Sequence, residues 1–481
     1  MRTGSQYLES LKDGREVVID GKVVKDVTTH PAFEGVTRTV AGLYDHVNAH
    51  PEDLTFTSPK TGQPVALWHQ IPRSRQDLVR RRKGIAKFTE LSYGMIGRGP
   101  DCMGSFFAGF ASSPEIFAKD NPEFGENVVR FHEKIRDEHL WCTVAIIPPQ
   151  VDRSKTAHEI GDHIVAGVFE ERDDGIVIRG AQMLATGSAI SDYLHLSCVV
   201  PLRQGDEKHA ISLAVPIGAP GLRLYSRRGY GAGQPSTFDY PLSTRFDETD
   251  SLAVFHDVFV PWEDVFVFKN IQTTLDQWHE TAAHVLGNNQ AQIRLVTKTK
   301  FLVGLGRKIA ETNAIDKIPS VQWHLGELAS WASLIEGMVL ASEAEAVTKP
   351  NGVVIPHPRF LYGAIGLQYQ LYPKIISLVR ELAGGGVIQV PSSVHEYKNP
   401  DTAGDIKRYI KSPKLKSEEK VKLFKLAWDI IGSEFAGRHT QYEMFYIGAP
   451  FVSKSYAYRK YDFSDCVDLV HRCLEGYDME S

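Results

Sequence analysis

GDHIVAGVFEERDDGIVIRGAQML, residues 161–184, is the stretch that decides the fold. Two β-rich runs flank Asp173, Asp174 and Gly175. Asp-Gly between such runs signals a tight hairpin, because both central residues of that turn need a positive φ that Gly and Asp tolerate. Three more short runs of the same texture follow: DYLHLSCVV at 192–200, HAISLAVPIGAPGLRLYS at 209–226 and SLAVFHDVFVPWEDVFVF at 251–268. Turn residues separate them, so a compact antiparallel β-barrel or sandwich is expected over 141–270.

Outward from this block the period changes. Before Leu140, stretches such as VTRTVAGLYDHV at 36–47 and GENVVRFHEKIRDEHLW at 125–141 place apolar residues three and four apart, the spacing of one helix face. After Asn270 long helical stretches are expected from Trp278 to Glu311, Val321 to Thr348, Leu361 to Leu382 and Glu418 to Ile431. The expected fold class is α+β: a helical N-terminal domain over 1–140, a β domain over 141–270 and a C-terminal helix bundle over 271–481.

The 481 residues are 42% hydrophobic and 23% charged, which excludes disorder and supplies a large core. A formal charge of −5 offers no basic field for nucleic acid. The five cysteines, Cys102, Cys142, Cys198, Cys466 and Cys473, are dispersed without a CxxC, so no metal site or disulfide framework is signalled. The N-terminus lacks the apolar stretch of an export signal, and no window approaches the ~20 apolar residues of a membrane helix. A cytoplasmic protein is expected.

Eight segments then occur in one order: TGSQYLESLKDGREV at 3–17, DVTTHPAF at 26–33, YGMIGRGPD at 93–101, PPQVDR at 148–153, RGAQMLATGSA at 179–189, DYPLSTRFDETD at 239–250, VFVPWEDVF at 258–266 and GSEFAGRHTQYE at 432–443. Through them the chain resembles, from end to end, the oxygenase component of two-component, reduced-flavin-dependent aromatic monooxygenases, typified by 4-hydroxyphenylacetate 3-monooxygenase and chlorophenol monooxygenases. The resemblance implies an acyl-CoA-dehydrogenase-like fold and a homotetramer. It also implies FAD, used as FADH2 and supplied by a separate NAD(P)H:flavin reductase, with O2 as co-substrate. A flavin C4a-hydroperoxide would hydroxylate a phenol-like or related electron-rich aromatic. The chain has no GxGxxG after a strand and before a helix, hence no nicotinamide site of its own is expected.

The same resemblance assigns site residues. Gln150 and Arg153 of PPQVDR would face the flavin, an amide suiting its carbonyl and N–H edge and a guanidinium its oxygens. Thr186 and Ser188 of MLATGSA would supply hydroxyls near flavin N5, Arg438 would lie near the flavin, and Gly384, Gly385 and Gly386 would meet the pyrophosphate. Arg98 would anchor the substrate's ring oxygen. Arg98 and Thr186 are therefore the expected catalytic residues. Around the ring the chain departs from its relatives: Cys102 and Val144 stand where hydroxyphenylacetate enzymes have tyrosine and histidine, and Asn289 where some chlorophenol enzymes have histidine. The pocket is expected to be less polar and 4-hydroxyphenylacetate a poor substrate. A general base is left unassigned among His139, His195 and His284. RQGDEKHA at 203–210 is expected as an exposed mobile loop over the flavin.

The alternatives are an FAD-containing acyl-CoA dehydratase or isomerase, or a dehydrogenase, of the same fold. The dehydratase needs cysteines and a histidine for an iron–sulfur cluster, yet residues 285–305 contain neither. A dehydrogenase needs a carboxylate over the flavin, with Glu434 the candidate.

Overall fold

The computed structural model describes residues 1–477, so the last four positions of the 271–481 range lie outside it. Ten strands build the two central sheets: β1 (Glu16–Ile19), β2 (Lys22–Val23), β3 (Cys142–Ala145), β4 (Gly167–Arg172), β5 (Gly175–Gln182), β6 (Tyr193–Leu196), β7 (Ser212–Pro216), β8 (Leu222–Ser226), β9 (Ser251–Pro261) and β10 (Val265–Val267). One sheet has six strands in the order β2-β1-β8-β9-β5-β4 and the other four in the order β10-β7-β6-β3. The hairpin forms at the expected place, but its turn residues are Asp173 and Asp174, neither with a positive φ, and Gly175 opens β5 opposite Arg172.

Two features differ from the antiparallel block expected within 141–270. The N-terminal segment is not wholly helical: β1 leaves it to run parallel to β8, with Val17 opposite Leu224, and β2 pairs with β1. EVVI buries Val17 and Ile19 in alternation, which is the pattern of a half-buried strand. The ladder between β3 and β6 is also parallel, Cys142 opposite Tyr193. A parallel pair needs a long crossover, and the segment carrying PPQVDR and the hairpin provides it.

The helices that frame the site are α1 (Glu34–Ala49), α2 (Arg75–Glu90), α3 (Pro100–Ala111), α4 (Pro122–Asp137), α5 (Ala283–Thr312), α6 (Pro319–Ala344), α7 (Pro358–Ala383), α8 (Ser417–Ile431) and α9 (Glu434–Met444). Every residue of α3, PDCMGSFFAGFA, is buried, as a helix apolar on all sides must be. It packs against α5, where Gly109 meets the backbone of Ala283. GLGRKIAE at 304–311 lies inside α5 and makes no nucleotide loop. Helix α6 buries only Leu328, Ile335, Val339, Ser342 and Glu343, leaving Trp323, Leu334 and Leu340 exposed.

The RQGDEKHA segment corrects the expectation of a free loop. Asp206 and His209 are buried. The Asp206 carboxylate accepts from the main-chain N–H groups of Arg203 and His158, each at 2.8 Å, tying the loop to the turn after PPQVDR. No helix among the described residues is long and apolar enough to cross a membrane.

Candidate active site

The turn after β5 carries Thr186 between Leu184 at φ 59° and Gly187 at φ 73°. A Cβ at Gly187 would fall 2.9 Å from the Trp141 ring, so both backbone and space require glycine there. The turn presents the Thr186 hydroxyl to Asp250, 2.7 Å away. Asp250 also takes Arg438 Nη2 at 2.8 Å and Arg227 Nε at 2.8 Å. Burial opposes ionisation of Asp250, but Arg438 and then Arg227 outweigh it and hold its carboxyl well below the usual range. Thr186 and Arg438, assigned separately from sequence, thus meet through a carboxylate.

Glu248 extends this network to the other half of the site. One of its oxygens accepts from Arg438 Nη1 at 3.3 Å, the other from the main-chain N–H of Arg98 at 2.6 Å. Trp141 Nε1 donates to the Arg98 carbonyl at 3.0 Å, so the Arg98 backbone is gripped on both sides. Its guanidinium is held loosely by comparison, contacting Cys102 Sγ at 3.6 Å and the Tyr446 carbonyl at 3.5 Å. Cys102 lies one turn along α3, completely buried, and burial pushes its thiol up in pKa despite Arg98. Val144 on β3 and Asn289 on α5 are buried too, and no hydrogen bond among the described residues joins the Asn289 amide to Arg98.

The outer part of the site is open. Gln150 and Arg153 are exposed, with no side-chain hydrogen bond or ion pair among the described residues. Near them the apolar side chains of Val151, Leu184, Val199 and Val200 also face solvent, 64%, 54%, 41% and 45% exposed. Main-chain pairing of Ile147 with Met183 and of Val199 with Ile146 places these segments side by side. A flat apolar ring with a polar edge suits this surface beside Thr186, and free donors stand ready at Gln150 and Arg153. Ser188 differs from its expected role: its buried hydroxyl donates to the Ala185 carbonyl at 2.8 Å, so it shapes the turn. Gly384, Gly385 and Gly386 form an exposed turn after α7, with Gly384 at φ 55°.

Behind the site lies a second charge cluster. Glu443 takes Arg294 on both oxygens, at 2.7 and 2.8 Å, and Lys298 Nζ at 2.9 Å, all three side chains fully buried. Gln368 adds a further donor at 2.9 Å. Burial would raise the Glu443 pKa, but Arg294 and Lys298 bring it down to about 2. Two of the three histidines considered as bases have one ring nitrogen bonded to another side chain, and the third is held only through its main-chain carbonyl. His195 is buried among Phe107, Phe110 and Trp278, with Nε2 2.9 Å from Ser212 Oγ. His284 pairs with the Tyr362 hydroxyl at 2.5 Å, and His139 supplies its carbonyl to Arg2. Glu434, the candidate for a dehydrogenase's carboxylate, forms an exposed pair with Arg228. No group of three His, Cys, Asp or Glu residues able to hold a metal occurs among the described residues.

Sequence reasoning missed Glu248, Asp250, Arg227 and Tyr446. The acidic run Asp247, Glu248 and Asp250 inside DYPLSTRFDETD was the available signal, since carboxylates clustered beside turn residues are rarely buried unless paired.

Thr186, Asp250, Arg438, Glu248 and Arg98 thus form one connected network beside an exposed apolar surface in an α+β frame. The chain belongs to the 4-hydroxyphenylacetate 3-hydroxylase family: residues 3–267 match that family's N-terminal model and 275–475 its C-terminal model. It is the oxygenase component of a reduced-flavin-dependent aromatic monooxygenase. Among its relatives is the Streptomyces globisporus monooxygenase of (3S)-3-amino-3-(3-chloro-4-hydroxyphenyl)propanoyl carried on the peptidyl-carrier protein SgcC2, 33% identical over 99% of this chain and 92% of that one. The crystal structure of the oxygenase component HpaB of 4-hydroxyphenylacetate 3-monooxygenase, complexed with FAD and 4-hydroxyphenylacetate, superposes with a TM-score of 0.93 at 32% identity, covering 99% of each chain. An archaeal 4-hydroxybutyryl-CoA dehydratase from N. maritimus has a TM-score of 0.89 at 21% identity, over 100% of this chain and 96% of that one, a likeness of fold alone.

Proposed function

We propose that this chain binds FADH2 delivered by a separate NAD(P)H:flavin reductase and hydroxylates a phenol-like aromatic other than 4-hydroxyphenylacetate, ortho to its activating group. The observation that carries the reading is the unbroken path from the Arg98 backbone through Glu248, Arg438 and Asp250 to the Thr186 hydroxyl. Such a path would hold a ring anchor at Arg98 and a flavin edge at Thr186 in one frame, as two reactants that must meet in fixed geometry require.

Reduced FAD, when bound, would supply the two electrons that activate O2. Gln150 and Arg153 would clamp its ring system and ribityl chain, and Gly384, Gly385 and Gly386 its pyrophosphate. Thr186, its hydroxyl oriented by Asp250, would hold the proton at the flavin's reactive edge. Arg98 would hold the phenol oxygen, its charge favouring the phenolate that makes the ortho carbon electron-rich. Valine at 144 and cysteine at 102 remove two hydrogen-bonding groups from the ring pocket, and Asn289 keeps one amide there. The exposed apolar residues of α6 fit burial against a second copy, in a tetramer built through the helices of 271–481. The three domains of 1–140, 141–270 and 271–481 would then act as one unit, with the free cysteines suited to the cytoplasm.

The test is turnover of a panel of phenols, amino-aromatics and nitrogen heterocycles with NADH, FAD and an added flavin reductase, quantifying product and hydrogen peroxide together. Hydroxylated product is expected from a bulkier phenol and little from 4-hydroxyphenylacetate. Tightly coupled conversion of 4-hydroxyphenylacetate would refute the substrate reading, and NADH oxidation without reductase the two-component reading.

A further inference from the structure

Two hydroxyls on the ring side of the site are unaccounted for. Tyr442 and Tyr446 bury their phenolic oxygens, and neither has a hydrogen-bond partner among the described residues. Buried hydroxyls usually find a partner; those of Tyr44 and Tyr372 lack one too, but this pair, Tyr442 and Tyr446, stands beside the Arg98 guanidinium. Their rings meet edge to face at 5.6 Å. The Arg98 guanidinium lies 4.7 Å from the Tyr446 ring centroid and 5.7 Å from that of Tyr442.

The two tyrosines are not equivalent. Tyr442 sits among three guanidiniums, with Arg294 at 5.4 Å and Arg438 at 5.0 Å besides Arg98, and a Cβ added at Gly97 would fall 2.5 Å from its oxygen. It is wedged between backbone and arginines and serves to space them. Tyr446, just beyond α9, faces Arg98 and Cys102, and its own carbonyl takes one of the two long contacts of the Arg98 guanidinium. Arg98 has five N–H donors, and its contacts at 3.6 and 3.5 Å are at the outer limit of hydrogen bonding. An under-used cation and an orphaned hydroxyl therefore stand side by side, next to Cys102, the position where the hydroxyphenylacetate enzymes carry tyrosine.

We propose that Tyr446 is the second anchor of the substrate's ring oxygen, donating to it beside Arg98 and replacing from the end of α9 the tyrosine hydroxyl missing at position 102. The inference rests on Arg98 being the ring anchor. Burial raises the Tyr446 pKa, so its hydroxyl remains a donor at neutral pH. The Cys102 thiol, shorter and a weak donor, does not compete.

The test measures binding of 4-chlorophenol and of 4-chlorotoluene, which carries a methyl where the phenol has its hydroxyl, to the full-length protein with FAD present. Tyr446→Phe is expected to reduce the preference for the phenol about three- to tenfold, and Tyr446→Phe with Cys102→Tyr to recover part of it. Cys102→Tyr alone should gain less than about twofold, because the oxygen already has its second donor. A preference unchanged in Tyr446→Phe but reduced in Arg98→Ala overturns the role of Tyr446 and leaves Arg98 standing. A preference unchanged in Arg98→Ala removes the ring anchor and this inference with it. Should Tyr446→Phe fail to fold, Cys102→Tyr decides: a tenfold gain from it shows that no second donor was present.

Discussion

Two arginines near the Tyr442 ring live in opposite circumstances. Arg294 is fully buried and meets both oxygens of Glu443 as well as the Gly94 carbonyl. Arg98 has a backbone held by Glu248 and Trp141, yet its guanidinium makes only two long contacts. The first arrangement neutralises its carboxylate within the chain, although Arg294 Nε has no partner among the described residues, and such clusters specify a core. The second keeps the position of a charge while leaving its donors unspent, which is what a binding site needs.

The largest effect should come from breaking the buried cluster. Glu443→Gln leaves Arg294 and Lys298 buried without their counter-charge, and a loss of about 3–5 kcal/mol is expected in urea unfolding. A change under about 1 kcal/mol would show the cluster to be no more than decorative. Acid sharpens the same point. The Glu443 pKa falls from its ordinary 4.5 to about 2 in the folded chain, so its contribution is full above 4.5 and is lost as pH falls through 2. Urea midpoints followed from about pH 5 downward should therefore drop less steeply in Glu443→Gln than in the wild type.

Asp250→Asn ranks next. It weakens a hub shared by Thr186, Arg227 and Arg438, and about 2–3 kcal/mol should be lost, with weaker FAD binding followed by fluorescence. Full FAD affinity in this variant would separate the network from the flavin edge. Arg98→Ala is expected to cost at most about 1 kcal/mol of stability while diverting turnover from product to hydrogen peroxide. If its melting temperature falls as far as that of Glu443→Gln, the contrast between the two arginines is wrong. Arg153→Ala should move stability by less than about 0.5 kcal/mol, since the side chain is exposed, and lower FAD affinity about tenfold.

Legibility followed the range of the interactions involved. The alternation of helical and β segments could be read because periodicity is local: the runs at 161–184 and 251–268 became β4, β5, β9 and β10, and the long C-terminal periods became α5 to α8. Strand β1 escaped notice because four residues carry little pattern, and its partner is more than two hundred positions away. Ser188 illustrates the opposite failure, where a residue type suited to a flavin contact spends its hydroxyl on its own turn.

By itself the sequence determined the order of α and β segments and, through segments that resemble a family, the reaction class and most of the residues proposed around the flavin. Only the tertiary structure decided how those residues cooperate. Glu248 joins Arg98 to Arg438, and Asp250 joins Arg438 to Thr186, across separations of 150, 190, 188 and 64 positions. Tyr446 reaches Arg98 across 348. Local propensity carries no information over such spans; packing of the bundle against the sheets does, because burying these charges is tolerable only where their partners meet them.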